Sequence, residues 1–379
     1  MTQEIPKRFD DRTVTRSWWI LIVFTILTAL VGFLAMGYLG AQIESEDPIV
    51  ETFTPEGIFV QPDAEWNTSI LESRTPEARE IRKLGWLVVF IAAGIFLVVE
   101  FLLIFAIFRY RRKAGSDDGS EPVQLYGSNP IELAWTIIPI MIVFVLCLAT
   151  IRTIQVVQPT KNERPENALT VEVIGHRWWW EFRYPELDVV TANEMFVPKD
   201  RPIWLELGSA DVIHSFWVPE LQGKMDAIPG KTNYWRFTPE EVGTYLGQCA
   251  EYCGTQHANM LIRVEVLEEA GFDAWATAQA KAATVARGTE IDKGRVVFLE
   301  NACQSCHAIA GVSNGTYAPD LTHLMSRATF AGGMIPNTPQ NLKAWIDDPE
   351  QIKPGCDMPS LKLSPTEIEQ LVAYLVTLK

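Results

Sequence analysis

Basic residues are too few in this chain to balance its acidic residues. The 379 residues include 32 lysines and arginines against 47 aspartates and glutamates, which gives a formal net charge of −15 at pH 7. This balance argues against a nucleic-acid partner, because an acidic surface repels a phosphate backbone. It also steers cationic partners toward the chain over long range, and a small basic redox protein would fit.

Cysteine is also scarce, and its distribution argues against a disulfide scaffold. Only six cysteines occur in the chain. Four of them form two tight pairs, Cys249 with Cys253 and Cys303 with Cys306, and a histidine follows each pair closely. Such clustering indicates cofactor sites. No pattern typical of a general base or a catalytic nucleophile is evident.

Hydrophobic residues, in contrast, are abundant. They make up 48% of the chain, whose mean hydropathy is +0.06, too apolar for a purely soluble protein. Three apolar runs at about 18–39, 84–108 and 133–157 approach the ~20 residues that cross a bilayer. They predict a membrane anchor over residues 1–160 with three transmembrane helices. The first run could be a signal peptide, but its length and the lack of a clean small-x-small cleavage site favour an uncleaved helix.

Basic clusters beside these runs predict the orientation in the membrane. One cluster precedes the first run and another lies between the second and third, and both should stay in the cytoplasm. Residues after Val157 then lie on the periplasmic side of a bacterial inner membrane. The clusters are Lys7, Arg8, Arg12 and Arg16, and Arg109, Arg111, Arg112 and Lys113.

The chain beyond the anchor divides into two domains. Residues 161–270 contain short alternating runs separated by turn residues, which predict a small β-sandwich or barrel. Residues 271–287 are Ala-rich and helix-prone, and we expect them to form a linker. Residues 288–379 are predicted to be helical, and Ser364 with Glu367 has the spacing of a capping box at the start of the last helix.

Four soft metal-ligand side chains lie close together in the sequence GQCAEYCGTQHANM. They are Cys249, Cys253, His257 and Met260, and His214 lies upstream in HSFWVP. Thiolates, imidazoles and a thioether suit copper or zinc, although zinc normally takes a closed set of four ligands without a thioether. Two cysteines on one loop can instead bridge two copper ions, each with one histidine. A disulfide, a zinc fragment or a redox pair are the alternatives for the cysteines alone.

These motifs, with GHRWWWEFRYP and the paired hydrophobic helices, resemble subunit II of cytochrome c oxidase over most of residues 80–270. The resemblance implies a cupredoxin-like β-sandwich with a dinuclear copper centre, CuA. The implied CuA ligands are His214, Cys249, Cys253, His257, Met260 and the backbone carbonyl of Glu251. The Glu251 side chain would also reach a Mg²⁺ or Mn²⁺ ion at the boundary with subunit I.

Two further residues acquire roles from the same resemblance. Trp178 matches the family's exposed aromatic residue through which electrons enter, although a strand tryptophan is usually a core residue and a fused donor could dock elsewhere. Glu132, in NPIELAWTIIP, matches the glutamate at the mouth of a proton channel into subunit I. The alternative for Glu132 is an interfacial carboxylate that anchors a helix end.

The sequence NACQSCHAIAG contains the C-x-x-C-H arrangement that binds haem covalently. Cys303 and Cys306 would form thioether bonds to the haem, and His307 would bind its iron. The distal ligand in such proteins is usually a methionine, and Met358 in PGCDMPSL is the best-placed candidate. The alternatives are Met325, Met334 and His323. A thioredoxin-like site is disfavoured because no βαβ pattern surrounds the motif.

This C-terminal domain resembles an all-α class I cytochrome c, and the fused arrangement is similar to the caa-type oxidases. The resemblance implies a multidomain membrane protein that relays single electrons from haem c to CuA and then to subunit I. Subunit I, subunit III and membrane lipid are the expected partners. The donor would be a periplasmic cytochrome c, a copper protein or a quinol-oxidising complex.

Three other functions could use parts of the same pattern. A quinol-oxidising homologue without copper is disfavoured by the complete ligand set. A stand-alone carrier is disfavoured by the helix pair and Glu132, because an anchor needs only one span. A CuA-containing nitric oxide reductase stays the main alternative, because the catalytic subunit decides between oxygen and nitric oxide.

Overall fold

A computed structural model describes residues 68–111, 127–283 and 287–379 of the chain. Two helices come first, α1 (Pro76–Arg109) and α2 (Asn129–Val157). By length and composition, both could cross a membrane. They contain the second and third predicted apolar runs, whereas the first predicted run lies outside the described residues.

The first turns of α1 belong to the β-domain that follows. Thr75 caps the helix, since its hydroxyl oxygen accepts the backbone N–H of Ala78 at 3.0 Å. Arg79 then forms an ion pair with Glu240, with Nη2 2.7 Å from Oε1. The start of α1 is therefore fixed to the folded domain beyond the predicted anchor.

Ten strands form two five-stranded sheets, in the orders β3-β2-β1-β5-β8 and β4-β10-β9-β6-β7. Neighbours pair antiparallel except β1 with β5 and β4 with β10. In β10 buried and half-buried residues alternate, as the two-residue period of a strand requires. The fold is the predicted cupredoxin-like sandwich. The strands are β1 (Leu169–His176), β2 (Trp179–Tyr184), β3 (Val189–Ala192), β4 (Glu194–Pro198), β5 (Ile203–Ser209), β6 (His214–Trp217), β7 (Met225–Ala227), β8 (Asn233–Phe237), β9 (Gly243–Cys249) and β10 (Leu261–Leu267).

A helix, α3 (Glu269–Gln279), packs against this sandwich. Phe272 on α3 is buried in the sandwich core. Trp275 stacks on Phe196 of β4, with ring centroids 4.6 Å apart. We expected residues 271–287 to form a linker. Their first part instead packs on the sandwich through aromatic contacts.

The C-terminal domain is mainly helical, as predicted. Its two main helices, α4 and α8, pack closely with Phe298 and Tyr374 in contact, and a side chain at Gly294 would overlap the carbonyl oxygen of Gln370. The capping box of α8 is confirmed, because the Glu367 carboxylate accepts the backbone N–H of Ser364 at 2.8 Å. The helices are α4 (Thr289–Glu300), α5 (Cys303–Cys306), α6 (Pro339–Asp347), α7 (Pro349–Ile352) and α8 (Pro365–Leu375).

Candidate copper and haem sites

Strand pairing brings the first histidine to the cysteine loop. His214 begins β6 and Cys249 ends β9, and these two strands are paired neighbours in the second sheet. Cys253 lies in the loop that follows β9. The ligand atoms of the three residues all lie within 4.8 Å of one another, and all three residues are buried.

The loop supplies the other soft donors around Cys253. Its Sγ lies 3.9 Å from Cys249 Sγ, 3.7 Å from His257 Nδ1 and 3.9 Å from Met260 Sδ. Both cysteines are free thiols. On the other side, Cys249 Sγ lies 4.0 Å from His214 Nδ1 and 3.3 Å from the carbonyl oxygen of Glu251. Two thiols, two imidazole nitrogens and a thioether facing one point fit a dinuclear copper centre better than a zinc site, which takes no thioether.

Electrostatics favours ionisation of one of the two thiols, and the thiolate is the form that binds a metal. The hydrogen bond from the Cys253 thiol lowers the pKa of Cys249, although burial opposes ionisation. The same hydrogen bond, together with burial, raises the pKa of Cys253. One thiol of the pair therefore ionises readily, and the second would release its proton to solvent when the metal binds.

Asp211 orients the first imidazole, and sequence reasoning missed it. Its Oδ1 lies 2.8 Å from His214 Nε2, which leaves Nδ1 directed at the cysteines. Burial opposes ionisation of Asp211, but hydrogen bonds from His214 and from the backbone of Val212 and Arg177 lower its pKa to about 2. A carboxylate behind a histidine ligand is the usual outer partner in metal sites. Its position three residues before His214 is the only sequence signal.

Glu251 and Glu132 are both exposed. The Glu251 carbonyl points at Cys249, while its side chain lies on the surface. Glu132 lies in the first turn of α2, where its Oε1 accepts the backbone N–H of Ser128 at 3.2 Å.

Trp178 is buried, whereas the resemblance implied an exposed residue. Only 8% of its surface is accessible. Its Nε1 donates a hydrogen bond of 3.1 Å to the carbonyl of Cys253. Residues of the C-terminal domain cover it, since Lys353 donates to its backbone carbonyl and both residues line one cavity. The fused domain therefore occupies the face that the prediction left open to an external donor.

That cavity has a volume of about 490 Å³, within the range of small-molecule and cofactor sites. Cys303, Cys306 and His307 line it together. His307 Nδ1 lies 2.7 Å from the carbonyl oxygen of Pro319, so the ring must carry its proton there and keeps Nε2 free for a metal. Burial lowers the pKa of His307, which favours the neutral imidazole that binds iron.

Met358 is the only one of the candidate distal ligands that lines this cavity. Met325 instead packs against the hydrophobic core of the C-terminal domain. His323 is buried, and its Nε2 lies 2.8 Å from the carbonyl oxygen of Lys281. Met334 is also absent from the cavity wall.

Arg327 is a second residue that the sequence did not reveal. It is buried, it lines the cavity, and one of its terminal nitrogens donates to the Asp320 carbonyl at 2.6 Å. Its Nε is buried with no hydrogen-bond partner in the part of the chain that the structure describes. A guanidinium group in the cavity wall fits the carboxylate of a haem propionate, so together with Cys303, Cys306 and His307 the residues present fit haem c.

The chain resembles known proteins over most of its length. Family models match residues 63–153 (cytochrome c oxidase subunit II, transmembrane domain), 187–267 (cytochrome c oxidase subunit II, periplasmic domain) and 291–379 (cytochrome c). A protein of Alkalihalophilus pseudofirmus named cytochrome c oxidase subunit 2 is 36% identical over 320 residues, covering 83% of this chain and 92% of that protein.

Two further relatives are subunits of two different kinds of oxidase. The cytochrome c oxidase subunit 2 of Bacillus sp. strain PS3 is 32% identical over 286 residues, covering 71% of this chain and 80% of that protein. The quinol oxidase subunit 2 of Bacillus spizizenii is 34% identical over 218 residues, covering 55% of this chain and 65% of that protein. The match to the quinol oxidase subunit covers less of this chain, 55%, than the match to the Alkalihalophilus pseudofirmus protein, which covers 83%.

These features define a membrane-bound redox subunit that passes electrons to a catalytic partner. They are the apolar helices, the sandwich with its cluster of soft donors and the fused cytochrome c fold. The chain belongs to the cytochrome c oxidase subunit II family. It is a subunit of a respiratory oxidoreductase and forms a complex with subunit I. The two long helices and the transmembrane-domain match indicate an inner-membrane protein with a periplasmic domain.

Proposed function

We propose that this chain takes electrons from a donor outside the cytoplasm and passes them to subunit I by way of haem c and CuA. Haem c is held by Cys303, Cys306, His307 and Met358. The names of the relatives support oxygen, rather than nitric oxide, as the final acceptor. CuA is held by His214, Cys249, Cys253, His257, Met260 and the carbonyl of Glu251.

The position of Trp178 is the observation that carries this proposal. The residue lines the same cavity as Cys303 and His307, and its indole N–H donates to the carbonyl of Cys253 in the loop after β9. One residue thus adjoins both sites. We assign Trp178 as the residue through which electrons pass from the cytochrome domain to the copper domain.

The chain's own residues hold and shield the two centres. When bound, haem c and CuA each supply one-electron redox chemistry. His214 and Met260 are fully buried, so water is kept from these two donors. Asp211 fixes the His214 ring, and Pro319 fixes the His307 ring through its carbonyl. Rigid ligands limit the rearrangement that accompanies each change of charge.

The remaining assignments extend the same proposal. The basic end of α1 at Arg109 supports a cytoplasmic location for that end, with both redox domains on the periplasmic side. Glu132 lies at the opening of a proton channel into subunit I, and the exposed Glu251 carboxylate contributes to a Mg²⁺ or Mn²⁺ site shared with subunit I. The donor is a cytochrome c, a copper protein or a quinol-oxidising complex.

The direct test is metal and spectroscopic analysis of the full chain, purified in detergent from a host with haem-attachment machinery and supplied with copper. We expect about two copper and about one iron atom per chain, a mixed-valence dinuclear EPR signal and a c-type optical spectrum. Iron without the dinuclear copper signal would refute the CuA assignment, and copper without covalent haem would refute the cytochrome assignment.

Replacing Trp178 with leucine should slow electron transfer from haem c to CuA by roughly 10–100-fold, since small changes in the placement of reacting groups have effects of this size. The rate is measured after rapid photoreduction of haem c. Trp179→Leu is the matched control, because Trp179 also lines the cavity but stacks on His176. Equal rates in the wild type and Trp178→Leu would exclude the role of Trp178.

A further inference from the structure

Buried polar contacts join the C-terminal domain to the sandwich. We call the segment 328–336, which contains the paired strands Thr329–Phe330 and Ile335–Pro336, the docking hairpin. This hairpin and Lys353 meet residues around Trp178, Glu194 and Asn259 of the sandwich.

Lys353 reaches from the cytochrome domain into the copper domain. Its Nζ donates to the carbonyl oxygens of Trp178 at 2.8 Å, Asn259 at 3.0 Å and Ala331 at 2.9 Å. Only 3% of the residue is exposed. Burial lowers its pKa to about 7, and its three carbonyl acceptors match the three donors of an ammonium group.

Glu194 makes the reciprocal contact from the sandwich. Its carboxylate accepts the backbone N–H groups of Ala328 at 3.0 Å and Thr329 at 2.7 Å, and the Thr329 hydroxyl at 2.8 Å. Only 1% of Glu194 is exposed. Each domain therefore inserts one buried ionisable side chain into the other. Glu194 makes three hydrogen bonds to the hairpin, and Lys353 makes two to the sandwich and one to the hairpin of its own domain.

Backbone contacts complete the surface. The Leu261 N–H donates to the Gly332 carbonyl at 2.9 Å, and the Gln256 side chain donates to the Pro354 carbonyl at 2.6 Å. Gly332 has φ of +80°, and a Cβ at this position would lie 2.8 Å from the Trp178 carbonyl oxygen. The hairpin thus needs glycine to approach the sandwich closely enough for Lys353 to bind.

We propose that Lys353 and Glu194 are positioning residues that lock the cytochrome domain over Trp178, so that electrons pass between the two domains without undocking. This inference rests on the proposed electron-relay function. A buried lysine and a buried glutamate are stable only while their partners are in place, because opening the surface breaks the five hydrogen bonds that they form across it. A cytochrome domain on a free tether would need no such contacts.

Because Lys353 and Glu194 hold the two domains together, electron transfer from haem c to CuA takes place within one docked unit. Wild-type transfer should be first order, independent of protein concentration and insensitive to salt, because the contacts are shielded from water. Lys353→Met keeps most of the side-chain volume but leaves three buried carbonyls without their donor. Glu194→Gln keeps the shape but replaces one of the two accepting oxygens with an NH₂ group, which cannot accept.

The test uses the assembled oxidase with the full chain and two measurements. Hydrogen exchange follows the backbone amides of Ala328, Thr329 and Leu261, which donate across the domain boundary. We expect roughly tenfold faster exchange in Lys353→Met and Glu194→Gln, because the boundary opens more often. Transfer from photoreduced haem c to CuA should slow about tenfold in both variants and become dependent on ionic strength.

Lys343→Met is the matched control, since Lys343 forms an exposed ion pair with Glu369 within the cytochrome domain. It should leave exchange and transfer unchanged. Unchanged exchange and transfer in both interface variants would overturn the lock. If Lys353→Met does not assemble, Glu194→Gln decides the question. Optical and EPR spectra report haem c and CuA separately. If the wild type lacked these cofactors, the proposed function would be refuted, but hydrogen exchange would still test whether Lys353 and Glu194 hold the domains together.

Discussion

Serine in place of Cys253 should abolish the dinuclear copper signal and lower cytochrome-driven oxidase activity by more than about 100-fold. Loss of an outer partner of a metal site typically costs 10–100-fold, and loss of a bridging ligand should exceed that range. Cys253 lies at the centre of the donor set, with the sulfur atoms of Cys249 and Met260 and a nitrogen of His257 all within 3.9 Å of its own sulfur. A serine hydroxyl is a harder and less acidic donor, so it cannot replace a bridging thiolate.

Copper content, the EPR spectrum and oxygen consumption would be measured on the same preparation. Cys147→Ser is the matched control, because Cys147 is an exposed thiol on α2, far in sequence from the copper loop. It should keep the copper signal and the activity. The haem spectrum should be normal in both variants, which separates loss of copper from misfolding. A dinuclear signal that survives in Cys253→Ser would refute the thiolate bridge.

Histidine in place of Met358 should lower the reduction potential of haem c by roughly 0.1–0.3 V, a fraction of the ≈ 0.8 V range that axial ligands span. A methionine ligand raises the potential of a c-type haem relative to a second histidine. Met358 is the candidate that lines the cavity with His307. At the lower potential the haem gives up its electron more readily but is harder for the donor to reduce, so turnover with a high-potential donor should fall.

A potentiometric titration followed by optical spectroscopy measures this change. Met334→Leu and Met325→Leu serve as controls, because neither methionine lines the cavity. Both should keep the wild-type potential. A shift in a control and none in Met358→His would transfer the distal role to that residue.

The metal-binding patterns could be predicted because they are local. Cys249, Cys253, His257 and Met260 lie on one loop, and Cys303, Cys306 and His307 lie on one turn, so spacing alone indicates their chemistry. The apolar runs within α1 and α2 and the capping box of α8 are equally local. In each case the physical cause acts over a few residues or along one continuous segment.

Long-range contacts could not be predicted in this way. Trp178 was expected on the surface, but it is buried, with its indole against the sandwich and its carbonyl bound by Lys353 of the cytochrome domain. Arg327 gave no signal, because only the folded domain shows that this residue is buried and lines the cavity. The orientation of His214 by Asp211 also required the folded loop.

The sequence by itself determined which cofactors this protein can hold, while the tertiary structure decided how the two sites are joined. Lys353 contacts the carbonyl of Trp178 across 175 positions of the chain, and Glu194 contacts Thr329 across 135. Neither residue stands in a recognisable motif. Five of their six hydrogen-bond partners are backbone groups, which every residue possesses, so only the packing of the two domains selects which lysine and which glutamate become buried.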